Sequence, residues 1–105
     1  MSDSIPRVTE ETFEREVLGS EIPVLRDFGA PWCGPCRTLE PVLEKLAAEH
    51  AGKIKVVQID SDASPAISTR YRVRGLPTVI GFVNGAERKR HLGATTAARL
   101  LELVT

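Results

Sequence analysis

Trp32-Cys33-Gly34-Pro35-Cys36 carries both cysteines of a 105-residue chain, so any thiol chemistry must start there. Two intervening residues bring the sulfurs within disulfide reach across one turn. The ring so closed is small. It restricts little of the unfolded chain and adds little stability through loop closure. A bond that staples so little is suited to opening and closing, and the pair reads as redox chemistry. Exchange with another disulfide needs a thiolate, whereas a free cysteine is mostly protonated at neutral pH. A thiol at a helix N-terminus meets unpaired backbone N–H groups and the positive end of the helix dipole, which both favour the thiolate. Cys33 is expected there, as an accessible attacking thiol. Cys36, one turn further on, is expected to be more buried and less acidic and to resolve the mixed disulfide. A zinc site would need about four ligands, and His50 and His91 lie far apart without paired spacing. Two inert core cysteines would not need the glycine and proline between them.

The elements that must hold this pair are legible around it. Pro23 to Phe28 is a mostly apolar strand with apolar residues on both parities, which suggests a buried central position. Arg26 and Asp27 are its anomalies. A long amphipathic helix follows the motif, with Leu39, Val42, Leu43, Leu46 and Ala47 at helical spacing. Pro35 suits its first turn, and Pro41 inside it should kink it. Before the strand, Thr9 can cap a first helix ending near Gly19, with Glu10 and Glu11 in its first turn. After the long helix come a strand at Lys53 to Asp60 and a short helix from Ser64-Pro65 to about Tyr71. Gly75-Leu76-Pro77-Thr78 turns into a strand ending at Val83. Asn84-Gly85 marks a tight hairpin into Glu87 to Leu92. Thr95 or Thr96 opens a last helix, and a short edge strand is possible near Arg7-Val8. Parallel strands joined by crossover helices and closed by an antiparallel hairpin make an α/β sandwich, read as one domain over residues 1–105.

Composition removes several alternatives. Fourteen basic residues balance fourteen acidic ones, so no broad basic surface for nucleic acid is expected. No apolar run approaches the roughly 18 residues of a membrane span. Met1-Ser2-Asp3-Ser4 lacks a positive cluster followed by an apolar run, so no secretory signal is expected. The expected protein is cytoplasmic and monomeric. In that reducing compartment a close cysteine pair is usually catalytic or metal-binding rather than structural.

These residues also resemble the thioredoxin family, of the bacterial WCGPC type, nearly end to end. The resemblance is carried by Asp27-Phe28, the WCGPC sequence, Pro41, Gly75-Leu76-Pro77-Thr78, Phe82, Asn84-Gly85 and Gly93. It implies a thioredoxin fold, with a central mixed sheet of four to five strands flanked by four helices. It implies a general protein-disulfide reductase that needs no bound cofactor. Such a protein takes electrons from thioredoxin reductase, an NADPH-dependent flavoprotein, and gives them to disulfides of substrate proteins. It implies that Asp27 lies below Cys36, where burial would raise its pKa and let it exchange a proton near neutral pH. The residues alone leave open an aspartate ending the strand in solvent. The resemblance further implies a cis bond before Pro77, freeing the Leu76 backbone to pair with an extended substrate. Gly75 and Gly93 would complete a shallow surface around Cys33. Gly34 and Pro35 would set the turn, and Trp32 would offer a flat apolar docking face.

The chain departs from the family at four places, of which Arg37 for the usual lysine after Cys36 is mild and keeps the charge. Gly29 stands where a second tryptophan is usual. Arg26 occupies a usually apolar strand position, so a carboxylate contact or a route to solvent is expected for it. Gln58 aligns with a common lysine near Asp27, and loss of that cation should push the Asp27 pKa up. A different class of function remains open: a thioredoxin-fold binding module that supports a partner independently of redox state.

Overall fold

The computed structural model describes residues 1–105, the side chain of Glu14 excepted. Four strands form one mixed sheet in the order β2-β1-β3-β4, with β1 Val24–Gly29, β2 Lys55–Asp60, β3 Thr78–Val83 and β4 Ala86–Leu92. β1 and β2 are parallel, and β1–β3 and β3–β4 are antiparallel. The parallel pair needs a crossover, supplied by α1, Gly34–Glu49. The expected edge strand shrinks to a single bridge between Arg7 and Gln58. The remaining helices are α2, Pro65–Arg70, and α3, Ala97–Glu102. Of the alternatives at the last helix, Thr96 is the cap, its hydroxyl accepting from the Arg99 N–H at 3.3 Å.

The first expected helix is a turn followed by a π-helical segment, Glu14–Leu18. Phe13 and Val17 still reach the core. Thr9 does not cap as expected; its N–H donates to the Thr12 hydroxyl at 3.0 Å. Glu10 instead crosses to α2 and accepts from the Ala66 N–H at 3.2 Å, supplying the cap that Ser64 does not.

The hairpin turn has Asn84 at φ 53° and Gly85 at φ 77°. Both are left-handed, as a two-residue turn between twisted strands requires. A side chain at Gly85 would also meet the Leu18 carbonyl oxygen at 2.8 Å.

Strand alternation divides β1 between two cores. Leu25 packs with Leu39, Leu43 and Leu46 of α1 and Leu100 of α3. Val24 and Phe28 face the other way, toward Phe13, Ile67 and Phe82. Arg26 belongs to this second face. It has neither the carboxylate contact nor the solvent route expected for it. The residue is 0% exposed and none of its guanidinium nitrogens has a hydrogen-bond partner among the described residues. Four rings surround it instead, with centroids at 4.4 Å (Phe13), 4.7 Å (Phe28), 4.3 Å (Tyr71) and 4.3 Å (Phe82). Ring faces carry negative quadrupole density, so a planar cation can be held there without an anion.

Candidate active site

The C-terminal end of β1 and the first turn of α1 meet at the cysteine pair. Cys33 and Cys36 are joined in a disulfide with Cα atoms 5.3 Å apart. Cys33 is the N-cap of α1, and its Sγ accepts from the Cys36 N–H at 3.2 Å. Its sulfur therefore occupies the helix end where N–H groups lack intrahelical partners. Pro35 falls in the first turn, where a missing N–H leaves no gap in the hydrogen-bond ladder.

Burial does not separate the two cysteines as expected. Each is 4% exposed with the disulfide closed. Their surroundings differ. Cys33 lines an open groove of about 420 Å³, and Cys36 does not. Trp32, Gly34, Pro35, Gly75 and Leu76 line the same groove. Trp32 is 65% exposed, and its indole N–H donates to Asp62 Oδ2 at 2.7 Å, which fixes the ring as a wall. Leu76 also packs on the cluster of Ala30, Cys33 and Cys36. The Leu76–Pro77 peptide is cis. The Pro77 carbonyl accepts from the Gly93 N–H at 2.7 Å, which ties the Gly93 turn to the proline.

Asp27, like Cys36, does not line the groove. A Cβ at Gly29 would sit 3.4 Å from Cys36 Sγ and 3.8 Å from Asp27 Oδ2. A methyl at Gly29 would therefore touch both the Cys36 sulfur and the Asp27 carboxyl. Asp27 is 4% exposed, and its Oδ1 has no hydrogen-bond partner among the described residues. Burial, and then the negative charge of Glu40, push its pKa up to about 7, against the chain's N-terminal ammonium. Gln58 is its partner in the β1–β2 register. That amide is engaged elsewhere: its Nε2 donates to the carbonyl oxygens of Ser2 and Ile5, and its Oε1 accepts from the Ser2 N–H.

Of the residues expected at the site, Trp32, Cys33, Gly34, Pro35, Gly75 and Leu76 share the groove, Pro77 and Gly93 are joined to each other outside its lining, and Asp27 lies near Cys36 beside Gly29. Further groups were not foreseen there: Asp62 on the indole, Ser61, Val73 and Arg74 on the groove wall, and Glu40 among the charges acting on Asp27. Arg74 stands directly before the glycine-X-proline turn, and that adjacency is a sequence signal that would have found it.

The Thioredoxin family profile matches residues 4–105. The chain is 46% identical over 97 residues to the chloroplastic thioredoxin M-type of Pisum sativum, an alignment covering 92% of this chain and 56% of that protein. It is 44% identical over 99 residues to thioredoxin 1 of Nostoc sp., covering 91% and 92% of the two chains. It is 42% identical over 100 residues to the thioredoxin of Synechocystis sp., covering 92% and 94%.

Proposed function

The chain belongs to the thioredoxin family, and on that premise we propose that it is a protein-disulfide reductase working by dithiol–disulfide exchange through Cys33 and Cys36. The observation that carries this reading is the position of Cys33, on the cap of α1 and on the wall of an open groove. Thioredoxin homologues are thiol–disulfide oxidoreductases.

In the reduced protein the Cys33 thiolate attacks one sulfur of a substrate disulfide. A Cys33–substrate bond forms, the substrate S–S bond breaks, and one substrate thiolate leaves. Cys36 then gives its proton to the Asp27 carboxylate and attacks Cys33 Sγ. The Cys33–Cys36 bond forms and the second substrate thiolate leaves. The substrate gains two electrons, the cysteine pair loses two, and the released thiolates take up protons. A thioredoxin reductase, an NADPH-dependent flavoprotein, returns the pair to the dithiol. Trp32, Gly34, Pro35, Gly75, Leu76, Pro77 and Gly93 form the docking surface, where an extended substrate pairs with the Leu76 backbone. The protein acts as a monomer in the cytoplasm, on disulfide-containing protein substrates, with no bound cofactor.

The test is insulin reduction by Cys33→Ser with a thioredoxin reductase and NADPH. Turnover should fall to background. Full turnover by the variant would overturn the proposal, and a partner bound equally by variant and parent would favour a redox-independent binding module.

A further inference from the structure

Most of the groove beside Cys33 is lined by apolar side chains and glycines. Two lining residues, Ser61 and Arg74, add polar side chains without an internal use. The Ser61 hydroxyl is closed to water and has no hydrogen-bond partner among the described residues. Arg74 is exposed and forms no ion pair among them. Other arginines of the C-terminal half are engaged: Arg70 lies over the rings of Phe13 and Tyr71, Arg90 pairs with Glu87, and Arg99 pairs with Glu102. No carboxylate is among the described residues lining the groove. Asp62, next to Ser61, is bonded to the Trp32 indole and does not line it.

Both residues stand on anchored backbone. The Ser61 N–H donates to the Gly29 carbonyl at 2.9 Å, just beyond the paired residues of β1 and β2. Asp60 Oδ1 accepts from the N–H groups of Asp62 and Ala63 at 3.0 and 3.3 Å and holds the turn that follows. The Val73 N–H donates to the Ser68 carbonyl at 2.9 Å, and the Thr78 hydroxyl donates to the Gly75 carbonyl at 2.6 Å. Arg74 lies between those two anchors. Donors on a fixed backbone lose little freedom when a ligand arrives.

We propose that Ser61 and Arg74 are specificity-determining residues of the groove: they favour substrate disulfides whose attacked cysteine stands next to an aspartate or glutamate. The inference rests on the reductase reading of the same groove. A guanidinium and a hydroxyl donor with no opposing carboxylate suit an incoming one. Rotation about a single bond, χ1, turns the Ser61 hydroxyl into the groove. A buried hydroxyl without a partner needs a reason, and a partner carried in by the substrate supplies it.

The test uses short peptides with one cysteine, flanked by Asp, Asn or Lys and joined in a disulfide to 2-thiopyridine, a neutral leaving group. The reduced Cys36→Ser protein stops at the first step. The Cys33–peptide bond forms, the peptide–thiopyridine bond breaks, and the released thione is read by absorbance. The Asp peptide should react about fivefold faster than the Lys peptide at low salt. Adding Arg74→Gln should remove most of that ratio, and adding Ser61→Ala should slow the Asp peptide about threefold. Arg88→Gln, the same charge change on β4, should keep the ratio. Equal rates for the three peptides, or a ratio lost as fully in Arg88→Gln, would overturn the proposal. A second measurement needs no exchange: serine versions of the peptides bound to the oxidised parent, read by fluorescence of Trp32, the chain's single tryptophan. Tighter binding of the Asp peptide, lost in Arg74→Gln, supports the proposal, and equal binding of all three counts against it. Release from no peptide would sink the reductase reading, and the binding series would then decide the groove preference by itself.

Discussion

Arg26 and Asp27 are adjacent in β1, equally closed to water, and differ in nearly everything that follows from burial. Arg26 is surrounded by ring faces, and burial lowers its pKa to about 9, with the neighbouring Tyr71 acting against that. It keeps its charge at neutral pH and has no reactive group beside it. Asp27 has an Oδ1 without a hydrogen-bond partner among the described residues. Its pKa is raised to about 7, so its charge changes near neutral pH, and Gly29 lies beside both its carboxyl and the Cys36 sulfur. Burial alone therefore does not make a working group. A buried charge can do chemistry only when its titration falls near the working pH and a reacting atom is within reach.

The largest expected effect breaks the pair at Asp27. The folded carboxyl holds its proton up to about pH 7, against an ordinary value of 3.8. Between those values the unfolded chain binds fewer protons than the folded one, so stability falls as pH rises through that window and levels off above it. The whole fall is worth about 4 kcal/mol. Urea unfolding at pH 4 and pH 8 should show it in the parent, and Asp27→Asn should remove it. Asp27→Asn should thus be the more stable protein at pH 8 and the slower reductant. A parent and variant with the same pH dependence would mean that Asp27 ionises in the folded protein as it does in water.

Next in size is Arg26, where volume and charge can be separated. Arg26→Ala leaves a space lined by four rings and should cost about 3 kcal/mol in urea unfolding at pH 7. Arg26→Met fills much of that space and removes the buried charge. It should be as stable as the parent or more so. Neither should change insulin reduction by more than about twofold, given that one pKa unit of altered interaction is already tenfold. If Met proved as damaging as Ala, the guanidinium itself, and not its bulk, would be what the rings require.

The same two residues show where sequence reading reached and where it stopped. The cysteine motif, its helix, the hairpin and the α/β layering rest on local signals: a cap, a period, a turn dipeptide. The place of Asp27 beneath Cys36 was implied by the family resemblance; the residues alone left open an aspartate ending the strand in solvent. Arg26 was recognisable as an anomaly, but its surroundings were not. The four rings come from four segments: the approach to the π-helical turn, β1, the end of α2, and β3. No local pattern announces that they converge, and the general need of a buried cation for an anion pointed elsewhere. The first helix was misread for a related reason. Phe13 and Val17 at a spacing of four suit an α-turn and a wider one almost equally over so short a stretch. Glu10, whose place in a first turn looked natural, was taken up by a helix far along the chain. Gln58 was placed near Asp27 by the family resemblance and is its partner in the β1–β2 register, whereas Glu40 was not foreseen.

The smallest expected effect sharpens the comparison, because it acts only on the Asp27 side. Gly29→Ala would set a methyl 3.4 Å from Cys36 Sγ and 3.8 Å from Asp27 Oδ2, both ordinary contacts. The position is extended strand, where alanine is no worse than glycine and restricts the unfolded chain more. Stability should rise by under about 1 kcal/mol. The methyl would crowd both the Cys36 thiol and the carboxyl proposed as its base. It would hinder proton transfer from Cys36 and leave the Cys33 sulfur, on the groove side, untouched. Stopped-flow reduction of a model disulfide should then show an unchanged first attack and a slower release of the second substrate thiol. Equal slowing of both steps would mean that the methyl disturbs the whole motif. An unslowed second step would mean that the Cys36 proton leaves by a route other than Asp27, and the two neighbouring charges of β1 would then differ in titration but not in function.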